Sequence, residues 1–159
     1  MILFSDMSRA STVHFGSDPP AGRWPGGEPG FDNSAHGQKL RVLIVEDELF
    51  VAMHLESVLE EIGFQIAAIL STGESAVKQF PLLRPDVVLM DINLGKGIDG
   101  ITAAQQIRAA GDAQIVFVSA YNDTGTRARV EAAIPGSLLL SKPVTPDRLK
   151  SAIHAPRRH

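Results

Sequence analysis

The chain has 159 residues, 44% hydrophobic and 21% charged, with a formal net charge of −3. This is the composition of an ordinary soluble protein, long enough for one domain with a real core, and its acidic balance offers no field for nucleic acid or an anionic membrane. With no cysteine, disulfides, thiolate metal sites and a cysteine nucleophile are excluded, and no apolar run approaches the ~20 residues of a membrane span.

The start, "MILFSDMSR", lacks a basic leader and breaks its apolar stretch at Ser5-Asp6, so no secretory signal is expected and a cytoplasmic location is. Residues 16 to 38 hold six glycines and four prolines with no apolar periodicity. Residues 1–38 are therefore expected to form a disordered extension, with Trp24 and Phe31 standing alone in it. A folded domain is expected over 39–155, and 156–159 as a tail.

From Lys39 onward, five short runs rich in Val, Ile and Leu follow one another: "LRVLIV" (40–45), "QIAAIL" (65–70), "DVVLM" (86–90), "QIVFV" (114–118) and "SLLL" (137–140). Without polar alternation they read as buried strands of a parallel sheet covered on both faces. Helical spacing fills the gaps. Val51, Leu55, Val58, Leu59 and Ile62 share one stripe, with Gly63 as a stop. Ser71 and Glu74 have the spacing of a capping box for a second helix. Asp99 can cap a third, with Ile101, Ala104 and Ile107 inward and Gly111 closing it. Asn122 or Asp123 can cap a fourth, and Thr145 followed by Pro146 opens a fifth. Five strands alternating with five helices predict a doubly wound α/β sandwich. Right-handed crossovers then bring every strand's carboxyl end to one edge of the sheet.

That edge collects chemistry. Glu46 and Asp47 follow the first strand, Asp91 the third, Ser119 the fourth and Lys142 the fifth. Crowded carboxylates repel unless a cation neutralises them, and hard oxygen donors with room for water suit Mg²⁺. A lysine and a hydroxyl beside the metal are what a tetrahedral anion needs. The set describes phosphoryl transfer to a carboxylate. Taken singly, each residue has a plainer role: Asp47 as a helix cap, Asp91 as a turn residue, Ser119 as a small strand-end residue, Lys142 as a solvated charge. Four such accidents at the same end of four strands are a poor explanation.

The acidic pair Glu46-Asp47, the "MDINL…DG" segment around Asp91, "VSAY" around Ser119 and "SKP" around Lys142 occur in this order. On these motifs, covering roughly 39 to 155, the chain resembles the response regulator receiver domains of two-component signalling. The resemblance implies a flavodoxin-like sheet of order 2-1-3-4-5. It implies phosphorylation of Asp91 by a histidine kinase or a histidine phosphotransfer protein. Mg²⁺ would be held directly by Asp47 and Asp91, through water by Glu46, and by the backbone carbonyl of Asn93. Ser119 and Lys142 would contact the phosphoryl group, and the Lys142–Pro143 bond would be cis.

Other features stay structural. The five histidines show no metal-ligand spacing, and "GKGIDG" is not a nucleotide-binding loop. A carboxylate-nucleophile phosphatase would carry a second Asp two positions after the first; here Asn93 stands there, against a turnover enzyme. Two positions depart from the family pattern. Leu139 occupies the place, three before the lysine, of a commonly aromatic switch residue, and the last helix is short. Leu139 is expected to be an inward core residue that cannot signal by ring rotation. The expected protein is a non-enzymatic, stand-alone receiver without an output domain, monomeric or weakly dimeric. It would act on a downstream protein target, without direct nucleic-acid or membrane binding. The alternative is a receiver-like interaction module independent of phosphorylation.

Overall fold

The branched apolar runs do form strands, each followed by a helix. The computed structural model describes residues 39–156, so the expected disordered extension (1–38) and residues 157–159 of the tail lie outside the described residues. The elements are β1 Arg41–Val45, α1 Leu49–Glu61, β2 Gln65–Leu70, α2 Gly73–Leu83, β3 Val87–Asp91, α3 Gly100–Ala110, β4 Gln114–Ser119, α4 Thr124–Ala133, β5 Leu138–Ser141 and α5 Pro146–Ile153. All five strands pair in parallel in the order β2-β1-β3-β4-β5. The expected flavodoxin-like topology is what the chain adopts.

Two apolar layers hold this arrangement. On one face Leu43, Val45, Val88, Met90, Ile115 and Phe117 pack with side chains of α2, α3 and α4. On the other, Val42, Ile44, Val87, Leu89, Val116 and Val118 pack with α1 and α5. Alternate residues of each central strand thus feed opposite layers, which is why β1, β3 and β4 read as unbroken apolar runs. β2 and β5 are different. They lie at the sheet edges, and their residues are mostly half-buried or exposed, so the expectation that all five strands are fully buried holds only for the central three. An apolar run does not say which strand ends up outermost.

The helix stripes fall where spacing puts them. Leu55, Val58 and Leu59 of α1 are buried, as are Ile101, Ala104 and Ile107 of α3. Asp99 caps α3 through the Thr102 N–H at 2.7 Å, and Asp123 caps α4 through the Thr126 N–H at 2.9 Å. Thr145 and Pro146 open α5, without a side-chain cap bond. One expected cap is wrong. The start of α2 is capped by Thr72, whose hydroxyl accepts from the Ser75 N–H at 3.2 Å, so Ser71 and Glu74 form no capping box. The Glu74 carboxylate is engaged elsewhere, by the Ile98 N–H at 2.7 Å. Asp47 does not cap α1 either: the N-cap is Glu48, without a side-chain cap bond.

Leu139 lies inward against the core layer of Phe117, as expected, but is only half-buried. Truncation costs scale with how enclosed the side chain is. Leu59→Ala, fully buried between α1 and the sheet, should cost about 2–5 kcal/mol, and Leu139→Ala only about 1–2 kcal/mol. Urea midpoints of the two variants check the ranking; equal losses would contradict it.

Candidate functional site at the carboxyl edge of the sheet

β1, β3, β4 and β5 end side by side, and each delivers a polar side chain at or just past its last residue. Glu46 is 2% exposed, Asp91 5% and Ser119 fully buried, whereas Asp47 and the side chain of Asn93 are exposed. Oxygens of Glu46, Asp47 and Asp91 all lie within 4.8 Å of one another. Lys142 reaches in from the end of β5, its Nζ 2.7 Å from Glu46 Oε2 and 3.2 Å from Asp91 Oδ2. Ser119 is tied to the same spot, since its carbonyl accepts the Lys142 N–H at 2.9 Å. Its hydroxyl accepts the Tyr121 N–H at 3.1 Å, which leaves the O–H proton to donate.

Local backbone explains how Asp91 is presented. It ends β3, paired with Val118 of β4, so its main chain is fixed by the ladder. Asp91 Oδ1 accepts the Asn93 N–H at 3.3 Å and turns the chain, so the plain turn role and the site role coexist in one side chain. The loop then returns to Gly100, whose N–H donates to the Ile92 carbonyl at 3.0 Å. A Cβ at Gly100 would fall 1.8 Å from the Asp91 carbonyl oxygen. Only glycine lets α3 begin so close behind Asp91, which gives the "DG" step its physical reason. Asp47 Oδ2 accepts the Gly95 N–H of this loop at 2.9 Å. The Lys142–Pro143 bond is cis.

Burial pushes the Glu46 carboxyl above its ordinary 4.5; the Lys142 ammonium opposes the shift and the Asp91 charge adds to it. For Lys142 burial acts downward, but the Glu46 and Asp91 carboxylates outweigh it and hold the ammonium above 10.5. Glu46 Oε2 is buried with no hydrogen bond of good geometry; the nearby ammonium is its charge partner. A cluster of hard oxygens, two of its carboxylates nearly enclosed and the third open to water, fits Mg²⁺, which keeps several waters when bound.

The comparisons with known proteins agree with this geometry. The model of the response regulator receiver domain matches residues 42–154. The chain belongs to that family. It is 34% identical over 118 residues to the chemotaxis protein CheY of Thermotoga maritima, a match covering 72% of this chain and 94% of that protein. Protein-glutamate methylesterase/protein-glutamine glutaminase 5 of Geobacter metallireducens is 34% identical over 102 residues. That match covers 64% of this chain and 28% of the relative, so the receiver spans well under a third of the relative's length. Among solved structures, the signal receiver domain of a modulated diguanylate cyclase from Desulfovibrio desulfuricans G20 has a TM-score of 0.66 at 36% identity. It covers 74% of this chain and 95% of that one. Receiver domains bind Mg²⁺ at an acidic cluster and exchange contacts with histidine kinases and downstream targets. No helix among the described residues is long and apolar enough to cross a membrane.

Every site residue singled out in the sequence arrives at this edge. The sequence reading missed three neighbours. Leu49 and Phe50, 67% and 85% exposed at the start of α1, follow the acidic pair after one further residue, Glu48; two large apolar residues just before the α1 stripe were the available signal. Glu74 was read as a cap.

The raised pKa of Lys142 predicts a pH signature. A raised folded value means the stabilisation is complete below the unfolded 10.5 and is lost as pH rises through the folded value. The urea midpoint should therefore fall more steeply above pH 10.5 in the wild type than in Lys142→Met. As pH rises above 4.5 the variant should lose stability more steeply than the wild type, since Glu46 then ionises without its partner. Parallel pH profiles for the two proteins would contradict the pairing.

Proposed function

We propose that this receiver accepts a phosphoryl group on Asp91, using Mg²⁺, and signals by changed contacts with other proteins. The observation that carries the reading is the Lys142 ammonium 3.2 Å from Asp91 Oδ2, at a rim shared with two further carboxylates. Mg²⁺, when bound, supplies positive charge to the oxygens of the transferring group. Asp47 and Asp91 would hold it directly, Glu46 through water, and Asn93 through its backbone carbonyl.

The chain's own residues do the rest. An Asp91 carboxylate oxygen attacks the donor phosphorus and forms a P–O bond. The bond from phosphorus to the donor histidine nitrogen breaks, and its electron pair leaves with the imidazole. The Lys142 ammonium, freed from one carboxylate oxygen, meets the charge on the phosphoryl oxygens, and the Ser119 O–H can donate to another. Nothing in this set performs rapid hydrolysis. The position two after Asp91 is Asn93, an amide that cannot act as general base, so the role is signalling rather than turnover.

A partner must present its histidine over this rim. The exposed side chains of Leu49 and Phe50 stand beside it, and a shallow apolar groove follows, lined by Phe50, His54, Pro143 and Val144. Apolar surface beside a buried charged site suits a docking helix of the phosphodonor.

Two outcomes test the reading. With acetyl phosphate and Mg²⁺, intact-mass spectrometry should find one added phosphoryl group in the wild type. It should find none in Asp91→Asn or after chelation, since the amide is isosteric but a poor nucleophile. Equal labelling of wild type and Asp91→Asn would end the assignment. Phe50→Asp should leave labelling by acetyl phosphate unchanged while slowing transfer from the cognate protein donor at least tenfold, about 1.4 kcal/mol of lost docking. Equal slowing with both donors would place the defect in the chemistry and remove the docking role.

A further inference from the structure

We propose that Glu74 is a positioning residue for the cation: from the first turn of α2 it holds the β3–α3 loop, and with it the backbone of Asn93. The inference rests on the reading of the acidic edge as a Mg²⁺ site. The loop between Ile92 and Gly100 contains Gly95, Lys96 and Gly97, all exposed. Two glycines in three residues make this the stretch of the site whose backbone has most freedom to lose.

Three side-chain carboxylates hold it. The Asn93 N–H donates to Asp91 at 3.3 Å, the Gly95 N–H to Asp47 at 2.9 Å and the Ile98 N–H to Glu74 at 2.7 Å. The first two acceptors belong to the cation site itself. A metal ion drawing on Asp47 and Asp91 would share those two carboxylates with the loop N–H groups. Glu74 stands outside the cluster, so its hold on the loop does not depend on the metal. It makes the shortest of the three contacts, and a carboxylate accepting a backbone N–H is among the stronger hydrogen bonds.

The fit around Glu74 is close. Gly97 has φ +80°, and a Cβ there would fall 1.9 Å from Glu74 Oε1. A Cβ on Gly73, beside Glu74, would meet Ile98 Cγ1 at 2.7 Å and the Ile98 carbonyl oxygen at 3.0 Å. Bare backbone on both sides therefore lets the helix start and the loop touch. The side chain is available for this because Thr72 caps α2 in its place. Without the tether, ordering of the loop would have to accompany cation binding and weaken it.

Glu74→Ala and Glu74→Gln separate the tether from plain charge. Mg²⁺ titrations followed through the Asn93 and Gly95 amide resonances give affinity. Hydrogen exchange at the Ile98 amide in metal-free protein gives the state of the loop. Glu74→Ala should weaken Mg²⁺ binding roughly threefold to tenfold and speed exchange at Ile98 by a similar factor, with the melting temperature nearly unchanged. Glu74→Gln keeps an acceptor oxygen while losing the charge, and should fall between the wild type and Glu74→Ala in both readouts. Equal weakening by the two variants would mean that only the negative charge matters and would overturn the proposal. So would a Glu74→Ala protein that binds Mg²⁺ as the wild type does. A wild type that binds no Mg²⁺ at all would instead remove the reading of the acidic edge, and this inference with it.

Discussion

One ammonium group governs the carboxyl edge of this sheet. Glu46 and Asp91 are nearly enclosed, and two ionised carboxylates so placed would each cost several kcal/mol without a partner. Lys142 Nζ lies against both, at 2.7 and 3.2 Å. The three residues come from β1, β3 and β5, and β4 lies between the last two. The ion cluster thus spans four strands of the sheet and depends on all of them being parallel and in register. A slip in any ladder would leave a buried charge alone. The same constraint makes the edge reactive, because the cation that stabilises two buried anions is already beside the oxygen that would take the phosphoryl group.

Output has to start from what moves when that ammonium changes partner. Tyr121 N–H bonds the Ser119 hydroxyl, and Asn122 Nδ2 bonds the Ser141 hydroxyl. The β4–α4 loop is therefore tied to the ends of both β4 and β5, one residue away from Lys142. Asn122 Oδ1 is buried without a hydrogen bond, a cost that a rearranged loop could relieve. Leu139 offers no ring to rotate and is already half inside. Coupling through Ser119, Asn122 and Ser141 needs no aromatic switch.

The sheet, its helices and the site were largely legible because parallel topology converts chain order into geometry. Once "LRVLIV", "DVVLM", "QIVFV" and "SLLL" are strands, the residues after them must share an edge. What was not legible depends on contacts between distant segments. The apolar runs of β2 and β5 resemble the central strands, and nothing in the runs themselves marks them as edges; that came only from the sheet order the family resemblance implies. Thr72 and Ser71 are adjacent candidate caps; Thr72 takes the role through the Ser75 N–H, and the Glu74 carboxylate meets a loop 24 residues further on. Leu139 does face inward, but how much of it stays uncovered was not legible for the same reason: β5 has a neighbour on one side only.

Reductive trapping tests the central claim most directly. Borohydride cleaves an acyl phosphate at an aspartyl side chain, releasing phosphate and leaving the carbonyl carbon reduced to an alcohol, so that the residue becomes homoserine. Tandem mass spectrometry of protein treated with acetyl phosphate and Mg²⁺, then with borohydride, reads the modified position. Homoserine at position 91 alone is the expected result; homoserine at position 47 or 99, or none with the phosphoryl adduct present, would contradict it.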